Sequence, residues 1–563
     1  MKRFRKPFII IATCAALFLS TGFIDDFFEI SKQLDIFSNA YKTVNELYVD
    51  DVKPGELMKN GIEGMLKNLD PYTNYYPESE IEDYRIKHVS TEYGGIGASS
   101  FRRGDSIVIA DVYEGFAAQK ADLRAGDVIL EVNGRALKGL APEEVDELMK
   151  GQSGTSIRIK IIRPGSLQPF EKSITREEIK INNVPFYGMI NDSIGYIKLD
   201  KFLQNCYSEM RNAFTDLKKN PELKSLVFDL RGNGGGLLEE SVNILNLFIK
   251  KDQLLVKQVG KIQGSNNIYT TQNDPVDAAI PIAVLVDRGS ASASEITAGN
   301  FQDLDRAVVI GQRSFGKGLV QQTRPLSYNT QIKITVAKYY TASGRCVQAL
   351  NYASRHEDGS VDHVPDSLIT EFKTVNQRTV FDGSGVYPDR FLDPPVTANI
   401  TNSLIKKLLI FDYAAYYRNN HDSIRAARKF NLTDKEYNDF INWLADKDYD
   451  YSTQSEKNIK ELKLIAQKDK YYDNIKPEFE KLDARLKHDK NADLIKFKPE
   501  IRQLLEKEIV ARYYFQKGRY EYSFSNDAVI ADAIAVLNHP TLYNNILKGE
   551  GSYKVIGKPK KQL

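Results

Sequence analysis

The chain has 563 residues, too many for one hydrophobic core, so about three or four domains are expected. Its 77 Lys and Arg nearly balance its 75 Asp and Glu, which removes the electrostatic case for a nucleic-acid binder. With 42% hydrophobic and 27% charged residues, the composition is that of a soluble globular protein.

Lys2, Arg3, Arg5 and Lys6 precede an apolar run from Phe8 to Leu19, and small residues Ser20, Thr21 and Gly22 follow. A basic start, a short apolar stretch and small residues read as a secretory signal over residues 1–22. The run is short for a spanning helix, which needs roughly 17–25 apolar residues, but Phe23 and Ile24 extend it. An uncleaved membrane anchor is therefore the alternative. Thr13 stands where a lipoprotein signal would place a small residue before Cys14. Beyond that segment only Cys206 and Cys346 remain, too few for a disulfide framework or a metal cluster; buried free thiols are expected, with a pairing of the two in an oxidising compartment as the alternative.

The next region, 25–92, reads as amphipathic helices. They break at Val52-Lys53-Pro54-Gly55 and end at Asp70-Pro71-Tyr72-Thr73. Residues 93–177 carry short β-patterned runs such as Ser106–Val112, Val128–Val132 and Ser156–Ile162, with glycine turns and one helical stretch at Pro142–Lys150. Residues 178–395 alternate strand and helix. Leu226–Leu230, Ile282–Val286 and Ala307–Ile310 are apolar strands, each followed by an unusual loop. That alternation predicts a mostly parallel sheet covered on both faces, with ligands beyond the carboxyl ends of its strands. From residue 396 to 563 the composition shifts to Lys, Asp, Tyr and Leu at helical spacing, and Thr433-Asp434-Lys435-Glu436 opens one of these helices as a capping box. A helical accessory domain without catalytic residues is expected there.

The three loops carry the chemistry. In Gly289-Ser290-Ala291-Ser292-Ala293-Ser294-Glu295, Ser292 and Glu295 form a capping box at a strand-to-helix turn. The same turn is where hydrolases present a nucleophile, and three alternating serines leave its identity open. Gly311 to Gly318 nearly spells a phosphate-binding loop, but Gly318 replaces the hydroxyl that would hold Mg²⁺, and Leu319 to Pro325 reads as a strand rather than a helix. A nucleotide site is therefore rejected. Lys317 can instead serve as a general base, which requires the neutral amine. Moving a lysine from about 10.4 to about 7–8 takes roughly 3–5 kcal/mol of differential stabilisation, which apolar burial can supply. Phe315 and Leu319 are the expected apolar neighbours. The run Arg231-Gly232-Asn233-Gly234-Gly235-Gly236 is either a flexible turn or an oxyanion site, where one backbone donor is worth about 3–4 kcal/mol.

Taken together, these loops resemble the carboxyl-terminal processing peptidases, the Ser–Lys tail-specific protease family S41. The resemblance runs from about Phe27 to Pro394 and rests on several motifs in one order. These are Asp70-Pro71-Tyr72-Thr73, Tyr93-Gly94-Gly95-Ile96-Gly97, Asp229-Leu230-Arg231-Gly232-Asn233-Gly234-Gly235-Gly236, the serine run, Phe315-Gly316-Lys317-Gly318 and Gly385-Val386-Tyr387-Pro388-Asp389. Ala342 stands where the family commonly has proline.

The resemblance implies an α/β multidomain fold: a crotonase- or ClpP-like protease core with an inserted β-rich PDZ domain and a C-terminal helical region. It implies Ser292 as nucleophile, Lys317 as base, Gln321 to orient the lysine and Glu295 in support. The oxyanion donors would be the amides of Ala293 and Gly235. Gly94, Gly95, Ile96 and Gly97 would bind a substrate's terminal carboxylate, since PDZ domains take peptide C-termini as an added strand. The implied enzyme is a serine endopeptidase of the bacterial periplasm, using no metal or cofactor, with protein or peptide substrates that have free C-termini. An adaptor or activator protein and a homo-oligomer are open as partners. The competing function is a catalytically silent PDZ scaffold on the same fold.

Overall fold

The computed structural model describes residues 27–81, 84–85, 92–356, 360–486 and 490–557. The expected export segment and Cys14 lie outside the described residues. No helix among the described residues is long and apolar enough to cross a membrane. The chain divides into two compact units.

The first unit comprises residues up to Ile81 together with Gln321–Thr335. Residues 27–47 are helical, and a second helix spans Pro54–Leu66, with Pro54 in the first turn, where a fixed φ and a missing N–H cost nothing. Asp70 then closes a tight turn. Its Oδ1 accepts the amides of Tyr72 and Thr73 at 2.8 and 3.0 Å, and its Oδ2 accepts the Thr73 hydroxyl at 3.0 Å. The turn delivers the short strand Asn74–Tyr76, which pairs antiparallel with Gln331–Lys333. This pairing explains why a stretch expected within the 178–395 region groups with the N-terminal helices.

The second unit is built on a six-stranded sheet. Its strands run, in spatial order, Phe186–Met189, Ile194–Lys198, Ser225–Asp229, Ile282–Val286, Val308–Gly311 and Arg390–Phe391. The first pair is antiparallel and all later neighbours are parallel. Side chains alternate between its faces. Leu226, Phe228, Ile282 and Val284 pack with Met210, Phe214, Ile296 and Phe301 of the helices Cys206–Leu217 and Ala293–Asp303.

The opposite face presents Val227, Ala283, Leu285, Val308 and Ile310, and it is covered by Ile530, Ala533, Val536, Tyr543 and Ile546. These belong to the helices Ala528–Leu537 and Pro540–Lys548. The region expected as an accessory domain thus supplies the second helical layer of the sheet. Residues from Ile400 to Tyr522 form a separate helical core.

The β-rich module has strands Ala98–Arg103, Ser106–Val112, Val128–Val132, Ser156–Ile162 and Phe170–Thr175 around its own core. Ion pairs Arg103–Asp412 and Arg519–Asp111, each 2.8 Å, join it to the helical region. Cys206 and Cys346 are unpaired thiols, and burial raises the pKa of both.

Candidate active site

Three loops leave the carboxyl ends of adjacent parallel strands, Ser225–Asp229, Ile282–Val286 and Val308–Gly311, as the sequence pattern requires. The first is anchored below. Asp229 is buried and bonded to Tyr196 Oη at 2.7 Å and to Arg231 Nη2 at 2.6 Å. Burial opposes its charge, but Arg231 and Lys198 outweigh that and hold the carboxyl down at about 2. Arg231 also reaches Asp527 at 2.7 Å, the residue whose side chain caps the helix Ala528–Leu537. Asn233, fully buried, organises the loop. Its Nδ2 donates to the Leu199 carbonyl at 2.9 Å, and its own carbonyl accepts the Ala291 amide at 3.0 Å.

The second loop separates its three serines. Ser290 Oγ donates to the Leu230 carbonyl at 2.9 Å, and Ser294 Oγ donates to the Asn233 carbonyl at 2.8 Å; both are buried. Ser292 is half-buried and its hydroxyl makes no cap bond. Only half of the expected capping box forms: Glu295 Oε2 accepts the Ser292 amide at 2.9 Å. Ser292 has φ 56° and ψ −114°, a backbone conformation that L residues rarely adopt, at the turn where strand becomes helix. Such a strained turn pushes the side chain out of the helix's own hydrogen bonding. A Cβ on Gly235 would lie 2.7 Å from Ser292 Cβ and 2.8 Å from the Ala293 nitrogen, so only glycine fits against this serine.

The third loop meets the second on a single carboxylate. Glu295 is fully buried; its Oε1 accepts Ser314 Oγ and the Gly316 amide, each at 2.6 Å. Its Oε2 accepts the amides of Ser292 and Lys317, each at 2.9 Å. The two residues therefore lie on one oxygen, their backbones within two hydrogen-bond lengths of each other. Burial raises the Glu295 carboxyl above its ordinary value, and the bonds from Ser314, Lys317, Ser292 and Gly316 pull it back.

Tyr339, also buried, places its hydroxyl 3.4 Å from both Glu295 Oε2 and the Ser292 carbonyl, and accepts the Gly318 amide at 3.3 Å. Gly316 and Gly318 have positive φ and press against Ala349 and Gln348, so the glycines flanking Lys317 are steric requirements. Of its two expected apolar neighbours, Leu319 is buried and Phe315 is 44% exposed.

The Gly235 amide donates to Asn233 Oδ1 at 2.8 Å, so it does not point toward a substrate oxygen in this state. The Ala293 amide, at the first position of its helix, forms no hydrogen bond among the described residues. In the β-rich module, the Ile96 and Gly97 carbonyls accept the Ala118 and Tyr113 amides at 2.7 and 2.8 Å, while the strand Glu92–Gly95 pairs with Glu177–Lys180. Gln321 belongs to the first unit, where its Nε2 donates to Thr335 Oγ1 at 3.1 Å. Ser314, Tyr339 and Thr335 were not singled out by sequence. Ser314 carried a signal in its place inside the Gly311–Gly318 loop, and Tyr339 in its place at the start of the segment that carries Ala342.

Every neighbour of the Glu295 carboxylate is a donor. Glu295→Gln would turn an NH₂ group toward one of them, leaving buried donors without acceptors. Unfolding free energy should fall by about 1–3 kcal/mol, and turnover by about a hundredfold as the two loops shift. Denaturant titration and steady-state kinetics check both; unchanged values in either would discount the carboxylate as the joint of the site.

Comparison with known proteins gives this geometry its context. Residues 193–352 match the model of peptidase family S41, 108–163 a PDZ domain, 400–537 the C-terminal helical domain of probable PDZ-proteases, and 24–79 the N-terminal domain of the activating protease CtpB. The chain is 34% identical over 322 residues to a carboxy-terminal-processing protease of Bartonella bacilliformis, covering 57% of this chain and 73% of that one. It is 36% identical to a probable CtpA-like serine protease of Staphylococcus haemolyticus, over 54% of this chain and 60% of that protein. A solved photosystem II D1 C-terminal processing protease is 27% identical, with a TM-score of 0.35 over 64% of this chain and 93% of its own.

The mostly parallel sheet, with a strained strand-to-helix turn at its carboxyl edge, carries a PDZ domain and a C-terminal helical domain. The chain belongs to peptidase family S41 and is a serine-type peptidase.

Proposed function

We propose that this peptidase cleaves exported proteins by a Ser–Lys acyl-enzyme mechanism, selecting them by their C-terminal tails. The carrying observation is the shared Glu295 carboxylate, which holds the Ser292 and Lys317 backbones together while Ser290 and Ser294 spend their hydroxyls on backbone carbonyls.

In this reading Lys317, as the neutral amine, takes the Ser292 proton as Oγ attacks the scissile carbonyl. The Ala293 amide stabilises the oxyanion from the helix N-terminus. Lys317 then returns the proton to the leaving amine, the C–N bond breaks, and water hydrolyses the acyl-enzyme by the same base. Gln321, carried over from the family resemblance, steadies the amine. Gly235 serves by its lack of a side chain, and supplies a donor only if its amide leaves Asn233. The basic, apolar start of the chain supports export to the periplasm.

The PDZ domain would capture the tail, with the amides of Ile96 and Gly97 facing the terminal carboxylate. Amidating a substrate peptide's C-terminus should raise KM about tenfold or more, because the carboxylate loses charge-assisted hydrogen bonds. Equal kinetics on amidated and free-acid peptides would leave the module without this role. In cells, comparing C-termini of exported proteins with and without Ser292 would identify the substrates.

A further inference from the structure

We infer that Thr335 and Thr73 are positioning residues for Gln321, set in their direction by Asp70. This rests on the reading in which Gln321 serves the base. Four groups of the first unit form one directed chain. Gln321 Nε2 donates to Thr335 Oγ1 at 3.1 Å, and the Thr335 amide donates to Thr73 Oγ1 at 3.1 Å. The Thr73 hydroxyl in turn donates to Asp70 Oδ2 at 3.0 Å.

An ionised carboxylate can only accept, and at 3.0 Å Asp70 takes the Thr73 proton in preference to Thr335 Oγ1 at 3.4 Å, which leaves the Thr73 oxygen to receive the Thr335 amide. That contact fixes the Thr335 backbone, and with it the place of the hydroxyl oxygen that takes the Gln321 amide nitrogen. A side-chain amide held by its NH₂ presents its oxygen at the other end. The Thr335 hydroxyl oxygen, taking the Gln321 amide nitrogen at 3.1 Å, leaves the Gln321 oxygen as the end available to an amine N–H. Thr73 is only 4% exposed, so its hydroxyl has no ready exchange with water. The turn at Asp70-Pro71-Tyr72-Thr73, which the chemistry of Ser292 does not otherwise use, gains a role in turnover through this chain.

The test is made on the full chain with one peptide substrate. Thr335→Val should lower kcat about tenfold, the loss expected for one positioning hydrogen bond, with KM unchanged. Thr335→Ser should stay near wild type while Thr335→Ala matches valine; that pair differs only in the hydroxyl and serves if valine disturbs folding. In a Gln321→Ala background, Thr335→Val should cost nothing more. Thr73→Val should repeat the kcat effect, with Thr73→Ser restoring it. A purely structural role would instead lower the melting temperature and multiply with Gln321→Ala, which overturns the inference. So would wild-type kcat in Thr335→Ala beside an impaired Gln321→Ala. Full activity of Gln321→Ala would overturn the assignment of Gln321 itself, and the inference with it.

Discussion

Ser292→Ala should reduce peptide cleavage by at least about 10⁴-fold, with the melting temperature unchanged. Its hydroxyl makes no cap bond, so removing it costs the fold nothing. The neighbouring serines provide the contrast. Ser290 and Ser294 are buried and donate to Leu230 and Asn233 carbonyls, so their alanine variants should lose about 1–3 kcal/mol of stability and keep chemistry where they fold. An active-site serine probe should label the wild type and fail on Ser292→Ala alone. A silent PDZ scaffold would leave the wild type unlabelled. Near-normal turnover by Ser292→Ala would remove the nucleophile assignment.

Lys317→Arg should be inactive at neutral pH, with kcat down by about 10²–10⁴-fold and substrate binding retained. The backbone bond from residue 317 to Glu295 Oε2 survives the exchange, so the loop keeps its place. What changes is the head group: guanidinium stays protonated across the working range and cannot accept the serine proton. Lys317→Ala should be equally slow, and added small amines should restore part of its rate. That rescue should grow with pH as the amine's free-base fraction rises. Substantial activity of Lys317→Arg at neutral pH would reduce Lys317 to a charge that positions substrate.

The sheet was readable because Leu226–Phe228, Ile282–Val286 and Ala307–Ile310 are continuous apolar runs, and burial on both faces demands that pattern. The choice among three serines was not readable from spacing. It turns on carbonyls of Leu230 and Asn233, about sixty residues away in sequence. Glu295 was visible as a helix cap, and its second role was not, because the partners Ser314 and Gly316 arrive from another loop. The part played by residues 528–548 escaped for a different reason. Ala528–Leu537 has one acidic residue in an otherwise apolar segment, a composition that suits a buried layer as well as a bundle.

That second layer sets an order of events during synthesis. The sheet's strands from Phe186 to Gly311 leave the ribosome more than two hundred residues before the helices that seal their far face. Until Ala528–Lys548 emerges, Val227, Leu285 and Ile310 have no cover, and the newborn protease cannot close its core. A chain interrupted between Asn399 and Asn526 would keep Ser292, Glu295 and Lys317 in its sequence yet carry a raw apolar sheet face. Such fragments should precipitate or be cleared, because nothing in them covers that face.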